Sequence, residues 1–159
     1  RVLGFTGGAF LVLHHHLVLT EDLEPANGYY RGFGIAVDAP RIQRMAATRG
    51  VQLVLHGHKH RAFLWRSGVF NLLEHAQERY RLGELSVIGG GSAGSTEVEE
   101  EHNFFNTVEF TSEHVELSLF RSARKGAFAN FQRWRAPLAL QQGSLVLGQW
   151  VIVREDPGK

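Results

Sequence analysis

Two stretches decide how this chain folds: Ala9-Phe10-Leu11-Val12-Leu13-His14-His15-His16, and forty residues later Val51-Gln52-Leu53-Val54-Leu55-His56-Gly57-His58-Lys59-His60. Each is a short apolar run that ends in histidines. Apolar runs without alternation suit strands buried on both faces, as in a parallel sheet. Between them, Asp38-Ala39-Pro40 reads as a helix start with Pro in the first turn, and Gly50 as its stop. Ile42, Met45 and Ala46 stand at i, i+3 and i+4 and predict its buried face. Strand, helix, strand is a βαβ unit, whose strands are parallel and neighbours. Both histidine clusters therefore fall at the carboxyl ends of strands on one sheet edge, where open α/β sheets bind ligands.

On either side of the helix start the pattern changes. Thr20 to Gly34 reads as a long loop that enters beside the first cluster. Loops of that length are often functional, and Tyr29, Tyr30 and Arg31 are candidates to contact a substrate or to pack the loop on the sheet. Phe70 to Arg81 is ambiguous between helix and strand. Glu84 to Ile88 predicts a strand leading into the glycine-rich Gly89-to-Ser95 stretch, and Glu97 to Glu101 an acidic, solvated segment. Phe104 to Phe110 and His114 to Phe120 predict two strands around a Thr111-Ser112-Glu113 turn. Val115, Leu117 and Leu119 form the covered face and the opposite face is wet. The last third reads as short β pieces, of which Leu145 to Val153 is the clearest.

Composition excludes several functions. The 159 residues carry 17 basic and 16 acidic side chains, a net charge of +1, too small to draw the chain to nucleic acid or an anionic membrane by bulk charge. Without cysteine there is no disulfide, thiolate metal site or cysteine nucleophile. No apolar run is long enough to span a bilayer. Arg121, Arg124, Lys125, Arg133 and Arg135, interleaved with Phe120, Phe128, Phe131 and Trp134, superficially resemble a nucleic-acid surface. With the chain near neutral they read as an exposed strand face, and nucleic acid enters only as a possible substrate. The chain opens at Arg1, which reads as the C-terminal part of a longer protein. A cytoplasmic location is the default expectation.

Nine histidines are many for this length, and six lie in the two clusters. Neutral imidazole is a borderline ligand for Zn, Fe, Mn, Ni and Cu. One such cluster is commonly a solvated strand end; two on one sheet edge point to a metal site. Gly57, taken as the residue that allows a sharp turn and close backbone approach, lets His58 and His60 aim at one centre or at two neighbouring metals.

A strand ending in His-His-His, with a later one ending in Gly57-His58-Lys59-His60, resembles the C-terminal half of a calcineurin-like metallophosphoesterase. The Gly-His-x-His stretch matches that family's last metal motif, and the first cluster its penultimate one. The glycine-rich stretch from Ile88 and His102-Asn103-Phe104-Phe105-Asn106 also resemble the family's sequence beyond its last motif, so the likeness covers roughly residues 8–112. It implies an α/β (α+β) fold, half of a four-layer sandwich: a βαβ unit and then mainly β structure, with residues 1–121 in the domain and 122–159 its β-rich extension. It implies phosphoester hydrolysis at a binuclear centre with two divalent ions (Mn, Fe, Zn, Ni or Co). His58 would hold one metal and His60 the other. The penultimate ligand, on the metal of His58, maps to His15 counting back from Leu17, which replaces the family's usual Pro, or to His14 counting from the apolar run. His16 is the least favoured ligand, and His56 supports or packs. Arg61 faces substrate or solvent. The family's three upstream motifs, Asp-x-His, Gly-Asp-x-x-Asp and Gly-Asn-His, are absent: Asp occurs only at 22, 38 and 156. This stretch therefore reads as half an active site, inactive alone. The rival is a non-catalytic histidine-rich metal-binding or interaction module. Oligomeric state is not legible.

Overall fold

The computed structural model describes residues 8–18, 35–58, 60–70, 81–94, 102–123 and 126–154. They form a mixed α/β chain, mostly strands, in two compact units: one within 9–59 and 63–89, the other within 1–8, 60–62 and 90–159. The Thr20-to-Gly34 loop with Tyr29, Tyr30 and Arg31, the 71–80 stretch, the 97–101 acidic segment, Arg124 and Lys125 lie outside the described residues. No helix of the described residues is long and apolar enough to cross a membrane.

The first unit holds β1 (Phe10–Leu13), α1 (Ala39–Thr48), β2 (Leu53–His56), β3 (Phe63–Phe70) and β4 (Arg81–Gly89). Its sheet runs β1-β2-β4-β3. The βαβ expectation holds: β1 and β2 are adjacent and parallel, in the register Phe10↔Leu53 to Leu13↔His56. β4 then joins β2 in parallel, and β3 closes the far side antiparallel to β4. The β3 strand is not evident in the sequence, because its polar Arg66, Ser67 and Gly68 interrupt the apolar signal.

Two expectations are corrected. β1 is not buried on both faces: Phe10 is 52% and Val12 64% exposed, while Leu11 and Leu13 pack on the core. It is an edge strand of this sheet, packed on the core through its Leu11 and Leu13 face. On α1, Ala46 is buried and Ile42 packs on the core as expected, but Met45 faces out, and Ala39 and Ala47 are buried in its place. Small side chains win because the helix lies close to β4: a Cβ on Gly83 would stand 3.5 Å from the Ala47 Cβ. The core gathers these alanines with Leu17, Val54, Val69, Leu85 and Val87. Helix α1 starts without a side-chain cap at Asp38 and ends before Gly50, whose φ of 74° suits glycine.

The second unit is antiparallel: β5 (His102–Phe110), β6 (His114–Ala123), β7 (Ala129–Gln141), β8 (Ser144–Leu147) and β9 (Val151–Arg154). Strand order is β5-β6-β7-β8, with β9 also on β7. The Thr111-Ser112-Glu113 turn is as expected, its Thr111 hydroxyl accepting the Glu113 and His114 amides. The last third is less fragmented than its sequence suggests, since β7 is one 13-residue strand. Conversely, the run Leu145 to Val153 is two strands. Gly148 breaks it by lying so close to Pro137 that a Cβ would stand 2.6 Å from the ring.

Val115, Leu117 and Leu119 are buried as expected, but the other face is not simply wet: Ser118 and Ser122 are buried too. There Glu116 on β6 pairs with Arg135 at 2.8 Å and Arg133 at 3.2 Å. The aromatic and basic residues are likewise engaged within the unit. Arg121 stands 4.2 Å over the Phe131 ring, and Phe120 stacks on Phe105 at 4.6 Å.

Two outcomes are expected. Leu85→Ala, which empties a 2% exposed core site, lowers unfolding free energy by roughly 2–5 kcal/mol, whereas Val12→Ser changes it by less than about 0.5 kcal/mol, read by urea denaturation. The Arg135 hydrogen bond, first, and the charges of Arg133 and Arg135 hold the Glu116 carboxyl below its ordinary 4.5 against opposing desolvation. Its contribution is therefore present above pH 4.5 and lost as pH falls through the depressed value. The stability gap between the protein and Glu116→Gln should close on acidification, and a gap independent of pH would contradict the assignment.

Candidate metal centre

The site begins with the β1–β2 register. With Leu13 opposite His56, the residues leaving both strands emerge side by side, so His14, His15 and His58 meet at the carboxyl edge of the sheet. The chain beyond β1 is pinned at two points. The His16 carbonyl accepts the Ala36 amide at 2.9 Å, and the Leu17 carbonyl accepts the Gln43 side-chain amide from α1.

His14 and His15 are exposed and His58 half-buried, and one ligand atom from each lies within 4.8 Å of the others. Ring centroids are 5.0 Å apart for His14–His15, 4.9 Å for His14–His58 and 4.7 Å for His15–His58. His58 Nδ1 and His14 Nε2 share a hydrogen bond at 3.1 Å. Metal–imidazole bonds of about 2.0–2.1 Å place ligand atoms about 3.3 Å apart in a tetrahedral shell, so this pair already has a suitable spacing and His15 has a short distance to close. The three residues fit a divalent transition metal. One proton must sit between His14 and His58 in this contact, and metal binding would displace it.

The backbone contributes as well. His58 has φ 76° and His60 φ 58°, left-handed conformations rare for residues with a Cβ. This corrects the role expected of Gly57. That glycine has no positive φ and a Cβ there would meet nothing within 4 Å, so the turn is made by His58 itself. A side chain held at a cost of about 1–2 kcal/mol in this conformation, with its ring among two others, is the kind of strain found at functional positions.

Of the residues singled out in the sequence, His14, His15 and His58 come together. His60 is exposed and stands outside this group, and Arg61 is half-buried. His16 and His56 are buried, 1% and 4% exposed, with ring centroids 4.2 Å apart. Phe63 on β3 flanks both, at 5.8 Å and 5.2 Å. Burial, only partly offset by a hydrogen bond to the Gly57 carbonyl, lowers the His56 pKa below its ordinary value of 6.5 and keeps the ring neutral. Packing of His56 agrees with its expected supporting place. Its pairing with His16 and Phe63 is not legible in the sequence, because it depends on the strand register.

Comparison with protein-family models, with curated proteins and with solved structures finds no match.

The strain at residue 58 gives a direct test. His58→Ala and His58→Gly both remove the ligand, but Gly also relieves the left-handed backbone. His58→Gly should be more stable than His58→Ala by about 1 kcal/mol in chemical denaturation, with zinc affinity lost in both. Gly57→Ala should leave zinc affinity unchanged by calorimetry; a large loss there would return the turn to Gly57.

Proposed function

We propose that this chain carries the histidine ligands of a metal-dependent phosphoester hydrolase, of the calcineurin-like kind its motifs resemble. The observation that carries the reading is the convergence of His14, His15 and His58 at the carboxyl edge of parallel strands β1 and β2. Half of a four-layer sandwich belongs to the same reading, as does a second divalent ion at His60.

In this reading His14, His15 and His58 present neutral nitrogen lone pairs to a divalent cation. When bound, such a cation supplies Lewis acidity toward phosphoryl oxygens. The exposed side of His14 and His15 leaves room for a phosphoester to approach. The buried His16 and His56, packed with the half-buried Phe63, form the inner part of the histidine cluster. Because three imidazoles carry no negative charge, the remaining ligands of a hydrolytic centre come from carboxylates elsewhere in the complete protein.

The second reading, a metal-binding module without turnover, is favoured by the all-imidazole composition of the group: no carboxylate joins it among the described residues. Hydrolysis of p-nitrophenyl phosphate and bis(p-nitrophenyl) phosphate by the longest natural polypeptide carrying this sequence separates the two. Hydrolysis dependent on added Mn2+ or Zn2+, lowered at least ~100-fold by His58→Ala and unchanged by His114→Ala, is expected. Metal binding without turnover would favour the module, and equal activity in both variants would remove His58 from the site.

A further inference from the structure

The chain is near neutral as a whole, but its charges are not evenly mixed. Between Asp38 and Glu74 the sequence holds no Asp or Glu, while Arg41, Arg44, Arg49, Lys59, Arg61 and Arg66 all fall there. The first two of these lie on α1, and Arg49 is its C-cap. With 3.6 residues per turn, Ile42, Ala46 and Ala47 turn to the core, and Arg41, Arg44, Met45, Thr48 and Arg49 share the opposite face. On that face Arg44 is half-buried and the other four are exposed. The arginines of the sheets are neutralised: Arg66 and Arg81 share Glu84, and Arg133 and Arg135 share Glu116. No carboxylate among the described residues pairs with Arg41, Arg44 or Arg49. Uncompensated like charges on one helix face repel each other and attract a polyanion.

We propose that the outer face of α1 docks the phosphodiester backbone of a nucleic acid. From Arg41 to Arg49 the helix rises about 12 Å, which faces about three or four phosphates of one strand at an axial spacing of about 3.4 Å. Guanidinium forks bind phosphate oxygens bidentately. A membrane surface fits less well, because a helix that lies in lipid offers its apolar face, and that of α1 is committed to the core. The helix also leads to the histidines. It follows β1 and precedes the parallel β2, so it runs back against both, and its first turn opens at the carboxyl edge of the sheet. There the Gln43 side chain on α1 donates to the Leu17 carbonyl, just beyond His16. Under the hydrolase reading, a strand docked along α1 is the substrate delivered to His14, His15 and His58; the docking itself does not rest on that reading.

The test is fluorescence anisotropy of a labelled DNA oligonucleotide, single-stranded in one arm and duplex in the other. It is titrated with the longest natural polypeptide carrying this sequence, in EDTA, over a range of salt. Binding is expected, and it should weaken as salt rises. Arg41→Gln/Arg44→Gln/Arg49→Gln should lower affinity at least ~10-fold and reduce the log–log salt slope by about 2–3, since each lost phosphate contact removes about 0.7 on a single strand and about 0.9 on duplex. Gln is a good helix former, so thermal melts of the two proteins should match, and Lys at the same three positions should keep the slope. Unchanged affinity of the Gln form, or equal competition by poly-glutamate or by phosphatidylserine vesicles, would overturn the proposal. With metal chelated, binding is read apart from turnover. Binding without hydrolysis of the p-nitrophenyl esters removes the hydrolase reading alone, and hydrolysis without binding removes this proposal alone.

Discussion

The pairing of β1 on β2 in parallel, with Leu13 opposite His56, is the constraint on which the described site depends. Side chains alternate along a strand, so a slip of one residue would exchange the faces of β1. Leu11 and Leu13 would leave the core, and Phe10 and Val12 would enter it. The histidines beyond the strand end would then leave on a different heading. What holds the register is the packing of the half-buried Leu11 and Leu13 against the core, together with the four-residue ladder itself.

The same contacts divide the histidines into two environments. Chain beyond β1 returns at once to the core, where Leu17 is fully buried, and its carbonyls are taken by Ala36 and Gln43. That return draws His16 inward onto His56 and Phe63 and leaves His14 and His15 outside. On the second strand the left-handed backbone at His58 does the equivalent, ending the ladder and setting its ring beside His14 and His15. Three adjacent histidines in sequence thus become two exposed rings and one buried ring, a division that burial of Leu17 imposes on its neighbours.

The antiparallel unit shows how alternation succeeds and where it misleads. Val115, Leu117 and Leu119 mark a covered face correctly, because an apolar side chain's preference is local. The polar face reads as wet because polar residues usually are, yet Glu116 lies between Arg133 and Arg135, and Ser118 and Ser122 are buried. Charges that neutralise one another across strands can be covered, and which strands face each other is a long-range fact. The split of Leu145 to Val153 has the same origin, in the close approach of Gly148 to Pro137, eleven residues earlier in the chain.

Legible from residue order are the βαβ unit, the parallel neighbours β1 and β2, the hairpin at Thr111 to Glu113, and the placing of two histidine clusters on one sheet edge. Those features come from periodicity and turn chemistry within a few residues of each position. Packing, in contrast, makes β1 an edge strand with Phe10 and Val12 exposed, turns Ala47 rather than Met45 toward the core, and puts the turn at His58 rather than Gly57. Packing also brings His14, His15 and His58 together while His16 and His56 pack beside Phe63. The reason is physical: exposure, close approach and ring-to-ring contact are properties of which surfaces meet, and residues from strands forty or more positions apart meet only once the register and the core have formed.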